Sequence, residues 1–341
     1  MSPPGLTIAE LGEHEVLRRL RRFCAAIVGD DGAVQTLPAG EQLVVTTDVL
    51  VDGVHFCDRT LTPHALGWRA AAINLSDLAA MGAKPIGLTV GLTLPASTPW
   101  LWLEALYQGM GDCLTNYGGP IIGGDLCRGD HRSLAITALG SVPLHQALYR
   151  SRAQAGQALV TTGIHGASRA GLALLLEELR HDGQSSPDQP LAQTWIQAHQ
   201  RPIPRFDAIA TLRTLPGWPA KTIPEAIAVM DTSDGLADAV IQICHQSHVG
   251  ATLQRSHLPI PPGLSDTVGI AMAENWTLYG GEDFELVLSL PPAMAKVFIE
   301  QLPGSQLIGH TTVEPVIRLV DDVTHGADSP LDQDLGYQHF G

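Results

Sequence analysis

The chain has 341 residues, enough for two cores rather than one, and its 45% apolar content argues against disorder. Its 35 acids against 20 bases leave a net charge of −15, which excludes nucleic acid and anionic membranes as main partners. Five scattered cysteines without a Cys-x-x-Cys pair give neither a zinc site nor a disulfide framework, so a reducing cytoplasm is expected.

No apolar run of signal-peptide type precedes the charged stretch Glu13 to Arg22, and no segment approaches the length of a membrane span. Residues 7–24 are expected to form one amphipathic helix through Leu11, Val16, Leu17, Leu20 and Phe23. A glycine-flanked acidic turn, Gly29-Asp30-Asp31-Gly32, follows. The run Leu43-Val44-Val45 predicts a strand delivering Thr46, Thr47 and Asp48 at its C-terminal end, and a loop then presents Asp52, Gly53 and His55.

Thr62 and Pro63 open an alanine-rich helix that Gly82 stops. Pro85–Leu94 predicts a strand, Trp100–Tyr117 a helix, and Ile121-Ile122 a strand running into a turn at Gly123-Gly124-Asp125. Ser133–Val142 is a further strand. A new strand-turn-helix unit at Ala158–Gly163 sets the expected domains at 1–150 and 151–341, each an α/β or α+β layer structure. In the second, a helix over Ala167–Arg180, a loop over His181–Pro190, a strand at Ala226–Met230 running into Asp231-Thr232-Ser233-Asp234-Gly235, a helix bearing Leu236, Val240, Ile243 and Cys244, and strands at Glu285–Leu290 and Val316–Val320 are expected.

Aspartates recur at Asp30/Asp31, Asp48, Asp77, Asp125 and Asp231/Asp234. Each alone reads as a turn former or a helix cap, and Asp234 before Leu236 is the clearest case. Asp77 is harder to reduce to that, because it lies with Asn74 in an otherwise apolar helix, where a carboxylate is costly unless paired or metal-bound. Oxygen donors without a histidine or cysteine cluster select magnesium or manganese, which bind one or two carboxylates and complete their shells with water and phosphate oxygens. Lysine occurs only at Lys84, Lys221 and Lys296, and none makes a P-loop. An acidic protein that handles phosphates needs divalent cations to reverse the local field. Gly280-Gly281-Glu282-Asp283-Phe284-Glu285 reads as a hairpin turn, or as a site for a cationic substrate.

In this order, Gly29-Asp30-Asp31, Thr46-Thr47-Asp48 with Gly53-Val54-His55-Phe56, Asn74 to Gly82, Gly123-Gly124-Asp125, Asp231 to Gly235 and Gly280 to Asp283 resemble the motifs of the bacterial thiamine-monophosphate kinase family, over about residue 10 to Phe340. The resemblance implies the two-domain fold shared with aminoimidazole ribonucleotide synthetase, with an N-terminal ATP- and metal-binding domain that forms a homodimer. It implies ATP-dependent phosphorylation of thiamine monophosphate to thiamine diphosphate, assisted by several Mg2+ ions. Carried over by position, Asp31, Thr46, Thr47, Asp48, Asp77, Asp125, Asp231 and Asp234 would hold magnesium, Tyr107, Gly124, Asp125, Arg150 and Ser233 would contact ATP, and His55 and Glu282 would contact the acceptor. No side-chain base is expected, because the attacking phosphate, with a second pKa of about 6, is already ionised. Gly336-Tyr337-Gln338-His339-Phe340 resembles the family's ending, but the tryptophan that often stands two positions before that glycine is Asp334 here, leaving Tyr337 or Trp276 as substitutes for ring stacking. The alternatives are another enzyme of the superfamily, of the aminoimidazole ribonucleotide or selenophosphate synthetase type, or a non-catalytic magnesium-nucleotide binding protein.

Overall fold

The computed structural model describes all residues except 1–4, 29–30, 180–186, 220–221, 223, 322–328 and 337–341. Gly29, Asp30, Arg180, most of the loop expected at His181–Pro190, and Tyr337 with the chain end therefore lie outside the described residues. The chain divides into two compact units, residues 1–78 with 83–144 and residues 79–82 with 145–341.

In the first unit, Thr7 and Glu10 cap each other around α1 (Ile8–Leu11), and Gly12, at φ +77°, separates it from α2 (Glu13–Leu20). The single helix expected over 7–24 is thus two. β1 (Glu41–Val51) runs on through Thr46, Thr47 and Asp48, which sit within the strand rather than at its end. Threonine suits a pleated, half-covered surface as well as valine does, so the hydroxyls extend the strand. α3 (Pro63–Ala80) opens where the Thr62 hydroxyl accepts the Ala65 N–H at 3.2 Å. β2 (Lys84–Leu94), α4 (Trp100–Tyr117), β3 (Ile121–Arg128) and β4 (Ser133–Pro143) complete the unit.

The sheet order is β1-β4-β2-β3, with β2 and β3 parallel and the other pairs antiparallel. Gly123-Gly124-Asp125 lies inside β3 and not in a turn. A Cβ on Gly124 would stand 2.2 Å from the Val90 carbonyl oxygen, so this glycine serves the close pairing of β3 with β2. One face of the sheet packs on α3. α3 and α4 cross at van der Waals contact because Gly67 lies against the Leu106 carbonyl and Gly109 against that of His64. On the other face Leu43, Val45 and Val49 are about half exposed.

The second unit holds β5 (Ala158–Thr161), α5 (Ala167–Leu175), α6 (Gln189–Gln200), α7 (Phe206–Thr214), β6 (Ala228–Asp231), α8 (Leu236–Ser247), β7 (Gly250–Gln254), α9 (Leu264–Val268), α10 (Ile270–Tyr279), β8 (Leu286–Leu290), α11 (Pro292–Gln301), β9 (Gln306–Thr312), β10 (Ile317–Val320) and β11 (Ser329–Pro330). α5 stops five residues short of the expected end. α6 begins inside the expected loop, because Asp188 caps it through the Leu191 N–H at 2.9 Å and Pro190 fits its first turn.

The seven strands run β11-β10-β7-β9-β5-β8-β6, and only the β10–β7 pair is parallel. β8 is buried along its whole length between β5 and β6. Its Val287 joins a core with Leu236, Val240, Ile243 and Cys244 of α8, while Leu286, Leu288 and Leu290 face Ile209, Leu212 and Phe298 from α7 and α11. A third cluster surrounds the fully buried Trp195, whose backbone meets Gly171 of α5 closely. Among the described residues, no helix is long and apolar enough to cross a membrane.

Candidate active site

In the first unit the alternation of β1 divides the expected ligands between two faces. Thr46 and Asp48 face α3. There the Thr46 hydroxyl donates to the Asp77 carboxylate, and Asn74, fully buried, accepts the Asp48 backbone N–H at 3.2 Å through its side-chain oxygen. Asn74 also donates to the Ala70 carbonyl at 3.1 Å, so it ties β1 to α3. Thr47 lies on the opposite face, its hydroxyl 2.8 Å from that of Thr137.

Asp125 also belongs to the open face. Val49, Ala135, Gly91 and Asp125 form one row across β1, β4, β2 and β3, and Asp48, Ile136, Val90 and Gly124 form the next. Asp48 and Asp125 are thus on edge strands at opposite sides of the sheet, about 14 Å apart at three inter-strand spacings. Gly124 is on the outer edge strand, where N–H groups turned away from β2 have no partner in the ladder. Asp31 is exposed in the segment before β1. Tyr107 is buried and stacks at 5.7 Å on Phe23, and desolvation raises its hydroxyl pKa.

His55 follows a tight turn at Gly53, φ +80°. Its Nδ1 accepts the Val51 N–H at 3.1 Å, which leaves the ring proton on Nε2. Arg132 braces this loop, bonding Asp52 and Asp58 at 2.7 Å each, with its guanidinium 5.1 Å from the Trp102 ring centre. Asp52 is therefore a structural partner of Arg132. Arg132 drew no attention in the sequence, since an isolated arginine in a loop carries no spacing signal.

In the second unit Asp231 ends β6, buried, and accepts the Ser233 hydroxyl at 3.1 Å. Asp234 is exposed, and Gly235, not a side chain, occupies the cap position of α8. Arg150 donates to Gln242, which donates in turn to the buried Asp238 at 2.5 Å; Gln333 reaches the same carboxylate at 2.6 Å. Asp334 stands in the short turn after Gln333, its N–H bonded to Asp332 at 3.0 Å. Trp276 is buried, with the Arg169 guanidinium 4.8 Å over its ring.

Residues 280–285, read from the sequence as a hairpin turn or a site for a cationic substrate, bring several buried groups together. Glu282 is half-buried, and its N–H donates to the Ser233 carbonyl at 2.7 Å. The Asp283 carboxylate accepts the Gly166 and Ser168 N–H groups, and that of Glu285 accepts the Thr162 hydroxyl at 2.5 Å and pairs with Arg205. Desolvation pushes both carboxyls up to about 7, against those N–H bonds for Asp283 and against the Arg205 charge for Glu285. Burial, with Arg205 adding to it, pushes His165 down to about 3, so its ring is neutral.

All these donors are oxygens, which fits magnesium. Among the described residues no three acidic, histidine or cysteine side chains gather closely enough to cage an ion, so any magnesium bound here must complete its shell with water and phosphate oxygens.

Residues 29–142 match the family model for the N-terminal domain of AIR synthase related proteins. Thiamine-monophosphate kinase of Synechococcus elongatus is 47% identical over 338 residues, 98% of either chain. The crystal structure of thiamine-monophosphate kinase from Stenotrophomonas maltophilia superposes with a TM-score of 0.75 at 32% identity, over 90% of this chain and 94% of that one. A structure of AaThiL complexed with AMPPCP and TMP superposes with a TM-score of 0.68 at 25% identity, over 95% and 98% of the two chains.

Proposed function

The chain belongs to the thiamine-monophosphate kinase family, and on that premise we propose that it transfers the γ-phosphoryl group of ATP to thiamine monophosphate, giving thiamine diphosphate and ADP. The observation that carries this reading is the similarity at 47% identity along 98% of both chains, which spans both units. The ATP analogue and TMP held by AaThiL support the same pair of substrates.

The nucleophile is a phosphate oxygen of the acceptor, attacking in line. With a second pKa of about 6 it is ionised at neutral pH and needs no side-chain base. The obstacle is repulsion between two anions inside a protein of net charge −15. Magnesium, when bound, supplies the positive charge that offsets this repulsion and draws the phosphates into line. In the first unit Asp31, Thr46, Thr47, Asp48, Asp77 and Asp125 would hold ions; in the second, Asp231 and Asp234 would. Tyr107, Gly124, Asp125, Arg150 and Ser233 would bind ATP, with Arg150 oriented by Gln242 and Asp238. His55 would offer its Nε2–H to an acceptor oxygen, and the Glu282 carboxylate would offset the thiazolium charge.

The active form would be a homodimer built on the first unit. Exposed Leu43, Val45 and Val49 on an uncovered sheet face support this, because such a patch is costly in water. The separation of Thr47 from Asp125, both on the open face but on opposite edge strands, supports it too. A magnesium ion, with ligands at about 2.1 Å, cannot bind both side chains of one copy across the width of the sheet. A second copy closing on the open face would let β1 of one meet β3 of the other. The cytoplasm fits a kinase that needs ATP.

The test is an assay of purified protein with magnesium, ATP and thiamine monophosphate. Formation of thiamine diphosphate is expected. None, with turnover of formylglycinamidine ribonucleotide instead, would transfer the chain's role to the synthetase branch of the superfamily.

A further inference from the structure

β8 enters the sheet between β5 and β6, antiparallel to both, so residues 280–285 reach it past the C-terminal ends of those two strands. The backbone of this turn is unusual. Gly281, Glu282 and Phe284 have φ of +64°, +61° and +53°, a left-handed conformation that glutamate and phenylalanine adopt only when their surroundings hold them there.

Bonds on both sides do so. Towards β6, Glu282 donates its N–H to the Ser233 carbonyl at 2.7 Å, and Gly281 lies so near that a Cβ would stand 2.9 Å from the same oxygen. Towards β5, the Asp283 carboxylate takes the Gly166 N–H on one oxygen at 2.6 Å and the Ser168 N–H on the other at 3.0 Å. The Asp283 carboxyl is thus the internal acceptor at the start of α5, where helix N–H groups lack backbone partners. Next along the chain, the Glu285 N–H donates to the Thr232 hydroxyl at 3.1 Å, adding a second tie to the Ser233 loop. The side chain that would meet the acceptor therefore neighbours the one that anchors the turn, and its own peptide is bonded to the loop that would meet ATP.

We propose that Asp283 is a positioning residue: by tying the 280–285 turn to the start of α5, it fixes Glu282 and Ser233 relative to each other, so that the acceptor contact and the ATP contact are set as one unit. The inference rests on the kinase reading above, which gives Glu282 and Ser233 their substrates. In this assignment Asp283 works without touching either substrate, each of its oxygens accepting a backbone N–H. It acts through the placement of its neighbour.

Asp283→Asn is the informative variant. Desolvation already brings the carboxyl up to about 7, so a neutral side chain is compatible with the folded site. The amide keeps one acceptor oxygen and turns an NH2 toward a backbone N–H, which breaks one of the two ties. With Asp283→Asn, KM for thiamine monophosphate and KM for ATP rise together, and kcat/KM for the acceptor falls roughly 10- to 100-fold. Glu282→Gln raises KM for thiamine monophosphate alone. In the Glu282→Gln background Asp283→Asn removes less than about 3-fold more, because its effect runs through Glu282. Wild-type kinetic constants in Asp283→Asn, or losses that multiply independently in the cycle, overturn the assignment. Wild-type protein that forms no thiamine diphosphate would instead overturn the kinase reading. Should Asp283→Asn fail to fold, hydrogen exchange on the wild type decides: thiamine monophosphate slows exchange of the Gly166 and Ser168 amides if Asp283 couples them to the turn, and unchanged exchange there refutes the role.

Discussion

Thr46, in the middle of β1, donates its hydroxyl to the carboxylate of Asp77 on α3. The bond explains how an acid survives in a helix whose neighbouring Asn74, Leu75, Ser76 and Leu78 are fully buried. It also tests whether Asp77 serves structure or metal. Asp77→Asn keeps an oxygen for the Thr46 hydroxyl and removes the charge. We expect turnover to fall at least about 100-fold and the melting temperature to stay within about 3 °C of the wild type. Calorimetric titration with magnesium and an ATP analogue should show the lost affinity. Wild-type kinetics in this variant would remove Asp77 from the metal site.

The positions of Thr47 and Asp125 make a prediction that only a dimer can meet. If β1 of one copy completes the ion site with β3 of the other, Thr47→Val and Asp125→Asn are each inactive alone. After subunit exchange, half of the dimers are mixed, and each mixed dimer has one intact site and one doubly damaged site. About a quarter of wild-type activity should return. No recovery, with exchange verified by mass, would mean that the two residues serve separate ions within one copy. Val45→Glu, on the open face, should give monomers by light scattering and lose activity with them.

The helix α4 was legible to the residue, because Pro99 and Gly118-Gly119-Pro120 bracket a clear apolar period. The N-terminal helix was legible as helix but not as two, since Gly12 breaks it without disturbing the apolar spacing. Gly123-Gly124 misled for a physical reason: a glycine pair signals a turn locally, and here it admits the Val90 carbonyl from a neighbouring strand. The acidic positions could be found from sequence, but their division between two sheet faces and two edges could not. That depends on the strand order β1-β4-β2-β3, which no local pattern encodes. Asp283 was hidden likewise, as its donors lie 117 and 115 positions away.

The crossing of α3 and α4 leaves no room for a methyl group. A Cβ on Gly67 would stand 1.9 Å from the Leu106 carbonyl oxygen and 2.9 Å from the Met110 nitrogen, both backbone atoms that cannot swing aside. Gly67→Ala must separate the helices, and we expect a loss of about 3 kcal/mol. Gly12→Ala is the contrasting variant: a Cβ there meets nothing within 4 Å, and only its positive φ resists, so about 1 kcal/mol is expected. Equal denaturation midpoints for the two variants would show that the crossing relaxes freely.

Asp283 also sets a pH dependence of stability. Desolvation raises its carboxyl from an ordinary 3.8 to about 7, outweighing the Gly166 and Ser168 N–H bonds, and the nearby Glu285 and Glu282 carboxylates add to the rise. Between those values the folded chain holds a proton that the unfolded chain has released. Stability from this group is therefore complete below about pH 4, declines as pH rises, and is gone above about pH 7. The decline is on the order of a few kcal/mol. Glu285, also brought up to about 7 by desolvation, slopes the same way. Asp283→Asn carries no such proton, so its stability relative to the wild type should improve steadily from pH 4 to pH 7 and level off beyond. Urea unfolding of both proteins at four pH values measures the difference directly. A gap that stays constant or widens over that interval would mean that Asp283 remains ionised in the folded state.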